Sequence, residues 1–84
     1  MRKVYVDVEV KWLKEGLIVP VALYWRMGQD ESETERYVID RIVSGPEHRT
    51  SQVGGVGKRY VIEISGQRRN LFLEKDRWFL EVNR

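Results

Sequence analysis

The sequence predicts a small all-β domain, and three observations carry that prediction. Apolar and polar residues alternate with a period of two over most of the chain, as they do in strands that bury one face. Short turn signals separate these segments, and no interval is long and periodic enough for a full helix. At 84 residues the chain is expected to form a single domain, residues 1–84.

The beginning of the chain predicts two strands joined by a tight turn. Valines alternate with polar residues over residues 4–10, and Trp12 continues the valine face. Lys14-Glu15-Gly16 is typical of a turn, because glycine supplies the positive φ that turns often need. The second strand covers Ile18–Trp25. Pro20 indicates that this strand lies at an edge or begins properly after the proline, which cannot donate a ladder hydrogen bond.

The middle of the chain combines a loop, a strand and a long irregular segment. Residues 26–34 have no periodic apolar face, which predicts a solvated loop. Residues 35–43 predict the third strand. From Ser44 to Gly57 the glycines and a proline predict the longest irregular stretch, with a short helical turn near residues 47–52.

The last third of the chain predicts three further strands. Residues 58–65 alternate strictly, Ser65-Gly66-Gln67 predicts a hairpin turn, and Lys75-Asp76 predicts a two-residue loop between residues 69–74 and 77–82. About six short antiparallel strands favour a small SH3-like or split barrel with at most one short helical turn, because a flat sheet would leave two long edges. A barrel this small needs bulky side chains, so its core is predicted to include Trp12, Trp25, Phe72, Trp78 and Phe79.

Composition and charge exclude several classes of protein. The chain has no cysteine, which excludes disulfides and thiolate metal sites. No apolar run has the length of a signal peptide or a membrane span, and we interpret the protein as cytoplasmic. Residues 1–47 carry 7 Lys/Arg and 9 Asp/Glu, whereas residues 48–84 carry 8 and 4. The basic surplus therefore belongs to the second half.

No spacing in the sequence satisfies the geometry of a catalytic or metal centre. His48 is the only histidine, and hydroxyl side chains near a single histidine are common by chance. The acidic cluster from Asp30 to Glu35 lacks the spacing and central glycine of a calcium loop. We therefore predict a protein that is not an enzyme and holds no cofactor or metal.

The basic residues of the second half form the strongest candidate site. Small barrels bind nucleic acid through cations on phosphates and aromatic rings on bases. The predicted phosphate contacts are Arg49, Lys58, Arg59, Arg68 and Arg69. Tyr60 or Tyr37 would stack on a base if its ring is exposed. The cluster Gly54-Gly55-Val56-Gly57 suits either a phosphate cradle or, as we favour, a flexible entry into a strand.

Two parts of the sequence resemble a small bacterial family of unknown function. The first part comprises Pro20-Val21-Ala22-Leu23-Tyr24-Trp25 and residues 36–43, and the second comprises residues 54–60, 71–74 and 77–81. Genes of that family lie beside Y-family, translesion DNA polymerases. The resemblance implies an accessory to DNA damage tolerance that acts on DNA or on the polymerase, and it transfers no catalytic residue. The chain departs from the family in the acidic segment from Gln29 to Glu35.

The sequence leaves two binding functions open. The first, which we favour, is a module that binds nucleic acid weakly and without sequence specificity. The second is a protein-interaction module that docks on a polymerase or forms a homodimer. Its predicted contact is the strand edge at residues 17–25, because an uncovered edge can accept another strand.

Overall fold

The protein is an antiparallel β structure. A computed structural model describes residues 1–25 and 34–82 of the chain. They form β1 (Arg2–Trp12), β2 (Ile18–Trp25), β3 (Glu35–Val38), β4 (Arg41–Thr50), β5 (Val56–Ile64), β6 (Gln67–Glu74) and β7 (Arg77–Val82). No helix occurs among the described residues, and hence none that is long and apolar enough to cross a membrane. The predicted all-β class is confirmed, whereas the predicted loop at residues 26–34 lies outside the described residues except for Thr34.

The seven strands form one curled sheet. Its two edge strands, β3 and β4, are consecutive in the chain. The strand order is β3-β2-β1-β7-β6-β5-β4. β1 turns one corner, because its first half pairs with β7 and its second half with β2. Ile39 and Asp40 turn the other corner between β3 and β4. The Ile39 amide donates to the Val21 carbonyl at 3.0 Å, and the Asp40 amide donates to the Glu63 carbonyl at 2.8 Å. The sheet is therefore barrel-like, as predicted.

The predicted turns between neighbouring strands are confirmed. Gly16 lies in the β1–β2 turn with a φ of 92°. Ser65 and Gly66 join β5 to β6 with φ values of 51° and 77°, and Lys75 opens the two-residue β6–β7 loop with a φ of 57°. Positive φ in short hairpin loops matches the twist of the flanking strands.

The segment around Gly45 and Pro46 contradicts the sequence prediction. Residues 35–43 belong to two strands rather than one, and residues 44–50 continue β4 instead of forming an irregular stretch. No helical turn forms near residues 47–52. β4 accommodates the glycine and the proline through two register shifts against β5. It is also the last strand of the sheet, a position that tolerates proline because one side carries no ladder.

Pro20 lies inside a strand that has a neighbour on each side. β2 begins at Ile18 and pairs with β1, and it pairs with β3 from Ala22 onward. Pro20 itself faces Val10 beside a bulge in this ladder. The predicted edge position therefore holds only for the first residues of β2, which β3 does not reach.

The inner face of the curled sheet carries the main core. The buried members of this core are Leu23, Trp25, Ile39, Tyr60, Ile62, Ile64, Leu71, Leu80 and Val82. Trp78 and the first valines of β1 pack against them. Trp12 does not, and 71% of it is exposed, which contradicts its predicted place in the core. The physical reason is that β1 stops pairing with β7 at Val6, so the β1–β2 hairpin continues past the start of β7.

A smaller apolar cluster lies on the outer face of the sheet. Phe72 and Phe79 stack with their ring centroids 5.0 Å apart, and Phe72 is 1% exposed. The turn between β4 and β5 crosses this face, since Ser51 Oγ donates to Glu81 Oε2 at 2.7 Å. Both phenylalanines are buried as predicted, but outside the interior of the barrel.

Candidate nucleic-acid interface

The predicted phosphate-binding residues occupy two separate places on the sheet. One group, near the start of β5, consists of Arg49, Lys58 and Arg59. The other, at the start of β6, consists of Arg68 and Arg69. Lys58 pairs with Leu73 and Glu63 pairs with Arg68, so the groups are separated by about 17 Å along β5 at ~3.3 Å per residue. The five cations therefore do not form one patch.

Two cations of the first group share a single carboxylate. Glu47 accepts hydrogen bonds from Arg59 Nη2 at 2.9 Å and from Arg49 Nη2 at 3.3 Å. Both bonds hold the pKa of Glu47 below its ordinary value, and the bond from Arg59 has the larger effect on it. Part of the positive charge of Arg49 and Arg59 is therefore already offset before any phosphate binds. Lys58, exposed on β5, has no ion pair among the described residues.

Tyr60 cannot stack on a base, which corrects its predicted role. Its side chain lies on the inner face, and the residue is 2% exposed. The hydroxyl donates to the Ile18 carbonyl at 2.6 Å and so links β5 to β2 across the barrel. Burial raises the pKa of Tyr60 above its ordinary value. Tyr37, the alternative stacking residue, is half-buried and lies edge-on to Trp25 at a centroid distance of 6.3 Å.

With Arg2, the second group makes three cations at one end of the sheet, which we call the arginine end; Arg68 lies on the outer face, and Arg2 and Arg69 lie on the inner face. The Arg69 guanidinium carbon lies 5.1 Å from the centre of the Trp25 ring. Arg2 and Trp25 line one recess, and the other two arginines line a second recess with Met1. Within residues 1–25 and 34–82, no carboxylate forms an ion pair with any of the three. Their charge is therefore open to an external anion.

Strand pairing brings Arg2 to this end of the sheet, and no local sequence pattern singles it out. Arg2 pairs with Val82 on β7, and Glu81 beside it pairs with Asn70 on β6. The starts of β1 and β6 consequently lie at the same end of the sheet. The place of Arg2 follows only from the register among β1, β6 and β7, and these strands come from opposite ends of the chain.

Tyr5 is an exposed aromatic residue on the outer face that the sequence prediction did not select. The Arg77 guanidinium carbon lies 4.4 Å from the centre of its ring, and Arg77 Nη2 donates to the Tyr5 hydroxyl at 3.2 Å. The hydroxyl donates in turn to Glu74 Oε1 at 3.1 Å. Glu74 also lies 3.7 Å from Lys3 Nζ, so one carboxylate compensates both flanking cations.

The glycine cluster forms a tight turn whose surroundings disfavour a phosphate. The Ser51 amide donates to the Gly55 carbonyl at 2.9 Å, and the Gly54 amide donates to the Ser51 carbonyl at 3.1 Å. The carboxylate of Glu74 lies directly against Gly55. That carboxylate, which is paired there with Lys3, already occupies the place beside Gly55 where a phosphate would lie, so a phosphate cradle does not fit the turn.

Glu81 anchors that turn to the outer face. It is 7% exposed, and its Oε2 accepts hydrogen bonds from Ser51 Oγ at 2.7 Å and from the Gln52 amide at 2.9 Å. Its Oε1 accepts one from Asn70 Nδ2 at 3.0 Å. Burial raises the pKa of Glu81, but the three hydrogen bonds outweigh it and the pKa lies below its ordinary value.

We expect the contribution of Glu81 to stability to disappear in acid. A carboxyl whose pKa is lower in the folded than in the unfolded chain stabilises the fold fully above the unfolded value. That contribution is lost as the pH falls below the ordinary value of 4.5 and through the folded-state pKa. The free energies of unfolding of the protein and of Glu81→Gln, measured in urea, should differ by a constant amount from neutral pH to about pH 5. The difference should become smaller below that pH. An equal difference at pH 7 and pH 3 would contradict this account.

The residues around His48 show no catalytic arrangement among the described side chains. His48 is exposed on β4 opposite Lys58, while the nearby Ser51 hydroxyl is engaged by Glu81. Within residues 1–25 and 34–82, no group of three histidine or carboxylate side chains is placed to hold a metal ion.

Comparison with known proteins gives no family for this chain. No family model matches it, and neither does any curated protein or solved structure.

Proposed function

We propose that the protein is a non-catalytic module that binds nucleic acid weakly and without sequence specificity. The observation that carries the proposal is the arginine end, where three cations have no carboxylate partner among the described residues. Phosphate contacts from arginine and lysine supply most of the affinity in non-specific binding. The arginine end is distinguished from the other unpaired cations because it places three of them at one end of the sheet.

The other predicted cations take a secondary part in this proposal. Lys58 lies about 17 Å along β5 from Arg68, a distance that several nucleotides of an extended strand can span. Arg49 and Arg59 contribute less, because Glu47 already offsets part of their charge. The exposed ring of Tyr5 replaces the buried Tyr60 as the candidate for base stacking.

The family resemblance supplies a cellular context for such a module. Proteins of that family are encoded beside translesion polymerases. We propose that this chain assists lesion bypass by holding DNA near the polymerase. A direct contact with the polymerase is the alternative, and it would use apolar rather than basic surface.

We expect Arg68→Gln with Arg69→Gln to weaken binding to fluorescent single-stranded DNA by about tenfold at low salt. Each phosphate contact contributes about 0.7 to the magnitude of the slope of log affinity against log salt. The loss of two contacts should therefore reduce that magnitude by about 1.4. The matched control is Lys14→Gln with Lys75→Gln, which removes the same charge from two turns. Circular dichroism would verify that both variants fold.

Two outcomes would count against this function. If the double arginine variant and the double lysine control lose the same affinity for DNA, the net charge of the protein rather than the arginine end attracts the nucleic acid. If the unaltered protein binds no single- or double-stranded DNA at low salt, the nucleic-acid function is wrong and a protein-interaction module takes its place.

A further inference from the structure

The second half of β1 presents an unpaired strand edge. Residues 7–12 pair with β2 on one side, while the pairing of β1 with β7 ends at Val6. Within residues 1–25 and 34–82, no strand pairs with the other side of residues 8–12. Such an edge offers a row of free backbone donors and acceptors, which can template pairing with another strand.

One face of this edge is apolar and exposed. Val10 and Trp12 lie on the same side of β1 as Val8, because the extra residue of the nearby bulge, Val21, belongs to β2. Val10 is 39% exposed, and Trp12 beside it is 71% exposed. A large exposed indole on an unpaired edge is an unusual arrangement for a surface that meets only water.

The opposite face of the same edge carries one charge of each sign. Glu9 and Lys11 alternate with the apolar residues. Hydrogen bonds from Arg36, at 2.8 and 3.0 Å, and from the Tyr24 hydroxyl lower the pKa of Glu9 to about 2. The carboxylate is therefore ionised at neutral pH and already ion-paired with Arg36, so a second cation beside it would share this pair.

These charges make the edge complementary to itself in one antiparallel register. When two copies pair symmetrically about Val10, Glu9 of each copy lies opposite Lys11 of the other, and Val8 lies opposite Trp12. A register centred on Glu9 would place two glutamates together, although it would also place Asp7 opposite Lys11, and one centred on Lys11 would place two lysines together. Like charges directly opposite one another destabilise a ladder, whereas opposite charges and aromatic–valine pairs stabilise it.

We propose that a second copy of this chain binds here, and that the two copies form a twofold dimer through antiparallel pairing of residues 8–12 centred on Val10. The contact is isologous, so it closes at two copies. It differs from the edge that the sequence predicts at residues 17–25, where β3 and the Tyr60 hydroxyl already occupy much of β2. The dimer does not depend on the proposed binding of nucleic acid.

Light scattering after size exclusion, from about 10 μM to about 1 mM, tests the dimer directly. We expect the mass to rise from one copy to two with concentration. Lys11→Glu should raise the dissociation constant by at least about tenfold, because it turns two attractive pairs into two repulsive ones. The matched control Lys14→Glu, which makes the same charge change in the β1–β2 turn, should leave the constant unchanged within about twofold.

A mixing experiment tests the register itself. Lys11→Glu and Glu9→Lys should each be monomeric alone, and their equimolar mixture should form a heterodimer, because both cross-strand pairs become attractive again. If Glu9→Lys does not fold without its Arg36 partner, Lys11→Glu and its control still decide the question. A protein that stays monomeric at about 1 mM overturns the proposal. So does a dimer that Lys11→Glu and Lys14→Glu weaken equally.

Discussion

Replacing Phe72 with alanine is expected to lower the free energy of unfolding by about 3–5 kcal/mol. The ring is 1% exposed and stacks on Phe79 at a centroid distance of 5.0 Å. Its removal leaves a cavity between the sheet and the turn that Glu81 anchors. A domain of this size has a total stability of roughly 4–13 kcal/mol, so a large fraction of the chains would unfold at elevated temperature.

Equilibrium unfolding in urea measures this loss, with Tyr5→Ala as the control. Tyr5 lies on the same outer face and contacts Phe79 edge-on, but it is 45% exposed. Its removal should cost about 1 kcal/mol, because little apolar surface is newly exposed. Equal losses for the two variants would mean that the outer cluster is not a second core.

Gly45→Ala is expected to destabilise the protein by about 2–5 kcal/mol. Gly45 has a φ of 99°, a conformation that side chains with a Cβ rarely adopt. An added Cβ would also collide with the Arg59 backbone carbonyl and lie 3.1 Å from the Tyr60 Cα. These are main-chain atoms of β5 within the paired sheet, so they cannot move aside without disturbing the ladder.

Gly16→Ala separates backbone strain from collision. Gly16 has a similar φ of 92°, but a Cβ there would meet no atom within 4 Å. This variant should therefore lose only about 1 kcal/mol in the same urea titration. If Gly16→Ala costs as much as Gly45→Ala, strain alone explains both positions and the close approach of β4 to β5 contributes nothing.

Most of the fold could be predicted from local patterns. The strict alternation of Tyr60, Ile62 and Ile64 identified β5 and its buried face, because side chains on a strand point alternately to its two sides. Ser65-Gly66 and Lys75-Asp76 identified two hairpins, because a tight turn also depends on residue types within a few positions. Gly45 and Pro46 misled the prediction, since both residues usually end a strand, yet an edge strand with register shifts accommodates them.

The candidate site was less predictable, because its charges depend on neighbours. Arg49 and Arg59 appear as free cations in the sequence, and only the fold shows that Glu47 binds both. The prediction of Tyr60 as a stacking residue conflicted with the alternation that places it in the core. That conflict could have been resolved from the sequence, whereas the compensation by Glu47 could not.

The sequence by itself determined the all-β class, the turns and the inward face of most strands, since these follow from residue types within a few positions. Only the tertiary structure decided that Arg2 lies at the same end of the sheet as Arg69, that Trp12 stays exposed and that residues 8–12 have an unpaired edge. Each of these depends on the register between strands that are distant in the chain. Register is set by how the whole sheet curls and buries its inner face, which no local pattern contains.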